Sequence, residues 1–291
     1  MEISAGQVKE LREKTGLGMM ICKQALIDAN GDMNLAIENL RKQGQTTAAK
    51  RAGKSVKEGK VTIVSDSSAS VVFEVNSETD FVARNEDFIA FVDKLSTILL
   101  ENKPADLDSA KKITSPLFEG LSVESRLTEL IGKIGENITF RRYKKLDVNP
   151  AEEGIFPYLH GNGRIGVLVK LKADKALDSE AMASLGKDLA MQVAAANPIA
   201  VDRENVSSEV VSKEKEIYQT QAQSSGKPEK IWNKIVEGKL EKFFQEFTLI
   251  EQPFIRNPDI NIISRIQETE KETGAKIKVL AFVRLELGAE E

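Results

Sequence analysis

The chain has 291 residues, 41% of them apolar and 30% charged, with a net charge of −4 and a pI of about 5.5. That size sets a prior of two or three compact units, and a mildly acidic balance lacks the electrostatic footprint of a general nucleic-acid binder. A single cysteine, Cys22, and a single histidine, His160, exclude an intrachain disulfide, a cysteine-rich metal centre and a multi-histidine metal site. No apolar run approaches the roughly 20 residues of a membrane span. The start, Met1-Glu2-Ile3-Ser4, has no basic-then-apolar leader pattern, so a cytosolic protein is expected. The sequence holds no G-x-x-x-x-G-K-[ST] loop and no G-x-G-x-x-G fingerprint, so the chain is expected to hold no nucleotide or other cofactor itself.

The first forty-odd residues read as three short helices, over about 4–44. Ser4 and Gln7 form a capping box, Val8 and Leu11 give an apolar stripe, and Gly16 ends the first helix. Leu17-Gly18-Met19-Met20 reads as a tight apolar turn. Ile21, Ala25 and Ala29 line the second helix, which Asn30-Gly31 stops. Asp32 caps a third, with Ala36, Ile37 and Leu40 on one face and Gly44 just past its end. Residues 46–58 are polar and basic without apolar periodicity and read as a solvated linker.

A pattern then occurs twice. In the first copy Val61 and Ile63 alternate, Asp66-Ser67-Ser68 turns, and Val71, Phe73 and Val75 alternate again, which predicts a hairpin. A helix with Phe88, Val92, Leu95 and Leu99 follows, capped by Asn85 or a residue near Asp80. A further helix carries Leu127, Leu130, Ile131 and Ile134, and a strand runs from Ile138 to Tyr143. In the second copy two strands, Ile155 to Leu159 and Ile165 to Leu171, flank Gly161-Asn162-Gly163. A helix with Met182, Leu185, Leu189 and Val193 ends at Asn197-Pro198. Much later a helix with Ile263 and Ile266 leads through Gly274 to a strand from Ile277 to Leu287. The fold class is therefore α+β, with two related halves, each a small antiparallel sheet covered by helices.

Residues 204–247 interrupt the second copy as two helical stretches around Ser224-Ser225-Gly226-Lys227-Pro228. Val210, Ile217 and Ala222 line one; Ile231, Ile235, Leu240 and Phe243 line the other. An antiparallel coiled-coil hairpin is expected. Such a projection recruits a partner or a second copy of the chain, a homodimer in the latter case, or else is a packing extension. The expected division is a helical module at 1–45, a basic linker at 46–58, one core subdomain at 59–147, a second at 148–203 and 248–291, and the inserted hairpin at 204–247.

Thr79-Asp80-Phe81-Val82 is chemically the oddest segment. It sets a large apolar ring directly after a carboxylate, where an alternating strand gives way to a helix. Two readings stand locally. Thr79 or Asp80 is a helix N-cap and Phe81 a core or staple residue, or the ring and the charge act on a neighbour.

The segments VKELREKTGLGMMICKQAL, NGDMNLAIENLRKQG, EVNSETDFVARN, KIGENITFRR, HGNGRIGVLV, SGKP and EQPF, in this order and spacing, closely resemble the bacterial-type elongation factor Ts family over the whole of residues 1–291. The resemblance implies a non-enzymatic guanine-nucleotide exchange factor for elongation factor Tu in translation elongation, bound in its GDP-bound and nucleotide-free states. It also implies an N-terminal module similar to ubiquitin-associated domains, a two-subdomain core and an inserted coiled coil. Thr79, Asp80, Phe81 and Val82 would act together to dislodge the partner's Mg²⁺. Arg12, Met19, Met20, Lys23, Ile134, Gly135 and His160 match partner-contact positions. Locally, Met19 and Met20 are also explained by packing, Gly135 by a helix C-cap, and His160 by a polar loop.

Three departures from the family pattern stand out, the first being a loop at His160 that carries one residue more than that pattern. Arg256 follows Ile255 where the family often has two apolar contact residues, and the chain ends at Leu287-Gly288-Ala289-Glu290-Glu291 where many members continue into a further helical module. Two other classes stay open: a scaffold or chaperone that binds a translation factor regardless of its nucleotide, and a hydrolase using His160.

Overall fold

The computed structural model describes residues 3–175 and 179–290; the outer bounds of the expected modules at 1, 2 and 291, and residues 176–178, lie outside them. The fold is α+β, as expected. The chain forms two compact units. The first comprises Met1–Val64, Phe73–Lys145 and Glu286–Glu291; the second comprises Ser65–Val72 and Leu146–Leu285.

The first unit begins with helices α1 (Ala5–Thr15), α2 (Met19–Asp28) and α3 (Met33–Arg51). The Ser4–Gln7 capping box is complete, Gly16 closes α1 in the left-handed conformation, and Asp32 caps α3 through the amides of Asn34 and Leu35. Val8, Leu11, Cys22, Ala25, Leu26, Ala29, Ala36 and Leu40 make a small core. Three expectations are corrected here. Met19 and Met20 are the first residues of α2 rather than a turn. Ile21 is exposed, because Cys22 and Leu26 take the inward stripe with Ala25 and Ala29. The expected linker at 46–58 starts inside a helix, since α3 runs on to Arg51 and Gly44 lies within it.

Gly44 sits inside α3 for a packing reason. Helix α7 (Val123–Ile134) crosses α3 at Gly132, and a Cβ built there would sit 2.8 Å from the Gly44 Cα. A glycine at such a crossing lets two backbones approach where any side chain would hold them apart. Arg41 on α3 pairs with Glu129 on α7 at 2.9 Å beside it.

A sheet ordered β1–β2–β3 follows, where β1 is Glu58–Ser65, β2 is Ala69–Ser77 and β3 is Ile138–Asp147. Asp66 makes the hairpin turn by accepting from the amides of Ser68 and Ala69. After β2 come the one-turn helix α4 (Asp80–Ala83), the long α5 (Glu86–Asn102) capped by Asn85, and α6 (Leu107–Lys112), a short helix with no apolar period to announce it. Phe73 meets Phe140 edge-on at 6.0 Å, and Phe91 stacks on Phe118 at 5.2 Å. Buried Glu74 is matched by Arg142 and by the Gly288 amide.

The second unit repeats the plan. Strands β4 (Glu153–His160) and β5 (Ile165–Ala173) pair antiparallel, Glu153 opposite Lys172 and His160 opposite Ile165. β8 (Ile277–Glu286) joins on the far side of β5. Helix α8 (Glu180–Ala196) lies on this sheet, with Gly186 against the Phe156 ring, and α11 (Ile262–Thr273) packs on α8. In α11 Ile262 and Thr269 are fully buried; the expected Ile263 is exposed. A short ribbon, β6 (Pro253–Phe254) and β7 (Asn257–Asn261), precedes it.

Helices α9 (Ser208–Gln223) and α10 (Trp232–Phe247) form the expected hairpin, but its seam differs on α9. Val211, Tyr218 and Ala222 face the α10 side with Phe243, while Val210 and Ile217 are exposed. At the hairpin base Arg203 bridges Glu241 and Glu251, and its guanidinium holds the Glu241 carboxyl below the usual range.

Candidate functional site

Strand β2 is buried along its whole length and delivers residues 77–82 to the surface. The Ser77 hydroxyl donates to the Thr79 carbonyl at 2.8 Å. Thr79, with φ −124° and ψ 156°, is the N-cap of α4, its hydroxyl oxygen accepting from the Val82 amide. The same hydroxyl donates to the Glu136 carboxylate, 2.9 and 3.1 Å from its two oxygens, and the Thr79 amide donates to Glu136 Oε2 at 3.1 Å. In return the Glu78 carboxylate accepts from the Asn137 amide at 2.7 Å, and its other oxygen takes Arg51 at 3.4 Å.

The consequences for the four residues differ. Val82 turns inward and is buried. Asp80 pairs with Arg84 one turn on, at 3.0 Å on the surface. Phe81 stands 80% exposed, the most exposed large apolar side chain among the described residues. This settles the local alternatives: Thr79 is the cap, and Phe81 is neither core nor staple. A free ring this exposed contributes nothing to its own fold by burial, so its conspicuous feature is availability to another surface. A cleft of about 550 Å³ does exist in the same unit, lined by Leu17, Leu40, Phe91, Phe118 and Lys133, but Phe81 is not part of it. The site is a projection rather than a pocket.

Other expected contact residues fall into three places. Ile134 and Gly135 end α7, Gly135 at φ +81°, and Glu136 ties that helix end directly to Thr79. Arg12 lies exposed on α1; Met19 (55% exposed), Met20 (77%) and Lys23 lie exposed on the first turn and a half of α2, so packing inside the module does not explain the methionines. His160 belongs to the second unit. It ends β4, exposed, its Nδ1 2.9 Å from the Tyr158 hydroxyl.

Sequence reasoning missed Glu78, Glu136 and Asn137 as partners of the turn. Their only signal was two acidic residues each next to a chain reversal, and a pairing across 57 residues leaves no periodic trace. It also left Arg256 unplaced; that side chain pairs with the buried Asp188 at 2.8 Å, which Arg265 holds from the other oxygen at 2.9 Å.

Comparison with known proteins agrees in one direction. Residues 78–289 match the family described as Elongation factor TS. Three proteins named Elongation factor Ts are similar along nearly their full length. That of Syntrophotalea carbinolica is 44% identical over 288 residues, covering 99% of this chain and 94% of its own. That of Clostridium tetani is 46% identical over 289 residues, covering 98% and 93%. That of Prosthecochloris aestuarii is 43% identical over 291 residues, covering 99% of each. A family match over residues 78–289 and relatives alike along nearly the whole chain place the protein in the elongation factor Ts family.

Proposed function

We propose that this protein is a guanine-nucleotide exchange factor for elongation factor Tu in the cytoplasm, and that Phe81 is its working part. The observation that carries the reading is a phenylalanine ring left in solvent on a turn whose Thr79 amide is held by Glu136 and whose Glu78 carboxylate is held by the Asn137 amide. A GTPase holds its nucleotide through Mg²⁺ and backbone amides on the phosphates. Mg²⁺ demands near-octahedral geometry at about 2.0–2.1 Å, so a small displacement beneath the site weakens the grip. Burying a phenylalanine in the partner yields roughly 1.5–3 kcal/mol toward that displacement. Asp80 perturbs the hydrogen bonding around the metal. Its exposed pair with Arg84 is worth only about 0.3–0.5 kcal/mol, so it is readily given up on docking. Thr79 and Val82 are the mounts.

Labour divides along the chain. Residues 1–45 dock through Arg12 on α1 and Met19, Met20 and Lys23 on α2, while α3 of the same module continues into 46–58. The subdomain at 59–147 presents the wedge with Ile134 and Gly135 beside it. The subdomain at 148–203 and 248–291 meets a distal part of the partner through His160, and the hairpin at 204–247 extends the contact. No bond is made or broken on this chain.

The test is stopped-flow release of a fluorescent GDP from elongation factor Tu. Wild-type protein is expected to accelerate release many-fold. Phe81→Ala is expected to lose most of that with unchanged thermal stability, the ring being outside the core. A fully active Phe81→Ala protein would sink the wedge mechanism.

A further inference from the structure

We infer that Glu136, reciprocated by Glu78, is a positioning residue for exchange, a bracket that fixes the angle at which Phe81 is presented. This rests on the wedge reading above. Two carboxylates from segments 57 residues apart each accept the backbone amide of the other's neighbour: Glu136 takes Thr79 N at 3.1 Å, and Glu78 takes Asn137 N at 2.7 Å. Glu136 also receives the Thr79 hydroxyl, so the residue two before the ring is held at both its amide and its side chain. Asn137 is buried, and its side-chain amide donates to the Lys54 carbonyl at 2.9 Å, while Arg51 at the end of α3 reaches Glu78 at 3.4 Å. Wedge turn, α7 end and α3 end therefore meet in one hydrogen-bonded knot.

The physical need for such a knot is plain. Helix α4 is four residues long, too short to hold its own shape. An isolated turn would yield when its ring is pressed against a partner. Bonds from backbone amides to a carboxylate are stronger than neutral ones, and two that oppose each other resist rotation as well as translation. Ring contact gives affinity in any orientation, whereas displacing the partner's site needs the ring to push in one direction. The bracket should therefore govern the maximal release rate rather than binding.

Full-length Glu136→Gln, Thr79→Val and Thr79→Ser are compared with wild type and Phe81→Ala in the same GDP-release assay, titrating the factor to saturation. The Gln side chain turns an acceptor toward a donor; Val removes the hydroxyl at constant shape; Ser keeps it. Expected for Glu136→Gln and Thr79→Val is a maximal release rate lowered about tenfold, with the half-saturating concentration and the thermal melting point near wild type, and Thr79→Ser near wild type throughout. Combining Glu136→Gln with Phe81→Ala should add little further loss. Wild-type maximal rates in both Glu136→Gln and Thr79→Val, or a loss confined to half-saturation or to the melting point, would overturn the bracket while Phe81→Ala remains inactive. Full activity of Phe81→Ala would instead remove the wedge reading beneath it.

Discussion

At the scale of single residues, burial separates side chains that look alike in sequence. Phe81 and Phe88 lie seven positions apart, on either side of Arg84-Asn85-Glu86-Asp87; one stands in solvent and the other is fully buried. Arg256 and Arg265 both bind Asp188, but Arg256 is 61% exposed and Arg265 only 15%. Removing a buried partner leaves a buried charge uncompensated. Arg265→Ala is therefore expected to cost about 3 kcal/mol, and Arg256→Ala about 1 kcal/mol or less, as read by chemical denaturation. Equal losses would mean that the exposed arginine holds Asp188 as strongly as the buried one. Arg256 pairs with that carboxylate, which no local pattern locates 68 residues away.

Helices and strands were the most legible scale, and the errors at this scale share a cause. Ser4, Asp32, Asn85 and Gly16 act as caps where local chemistry predicts them, because a cap is satisfied within four residues. Gly44 reads as a stop by the same logic and is not one. Its role belongs to the crossing of α3 and α7, which is invisible to any local rule. That crossing is lopsided. A Cβ on Gly132 would meet the Gly44 Cα at 2.8 Å, whereas one on Gly44 would meet Gly132 at an ordinary 3.8 Å. Gly132→Ala is thus expected to destabilise the unit by about 1–3 kcal/mol through overpacking. Gly44→Ala is expected to gain up to about 1 kcal/mol of helix propensity. Thermal melts of the two variants should move in opposite directions. The seam of α9 was misjudged for a related reason: Val210 and Ile217 have the same spacing as Val211 and Tyr218, and only the packed partner tells which pair faces inward.

At the scale of the whole molecule, exchange is a linkage between two ligands of one partner. If this protein weakens GDP binding to elongation factor Tu by some ratio, GDP weakens its own binding by that ratio. Titration calorimetry should therefore give a dissociation constant about 5–150-fold higher with GDP-saturated than with nucleotide-free elongation factor Tu. Equal affinities would favour a nucleotide-insensitive scaffold. The sequence by itself determined the α+β class, the repeated hairpin–helix–strand plan, the caps and the family, because these rest on periodicity, short-range hydrogen bonds and text spread along the chain. Tertiary structure alone decided that Phe81 is free, that Glu78 and Glu136 clamp the turn beneath it, that Gly44 is a crossing and that Arg256 serves a buried carboxylate. Each of these depends on which residues distant in sequence meet in space, and solvent exclusion, close backbone approach and charge pairing exist only once they have met.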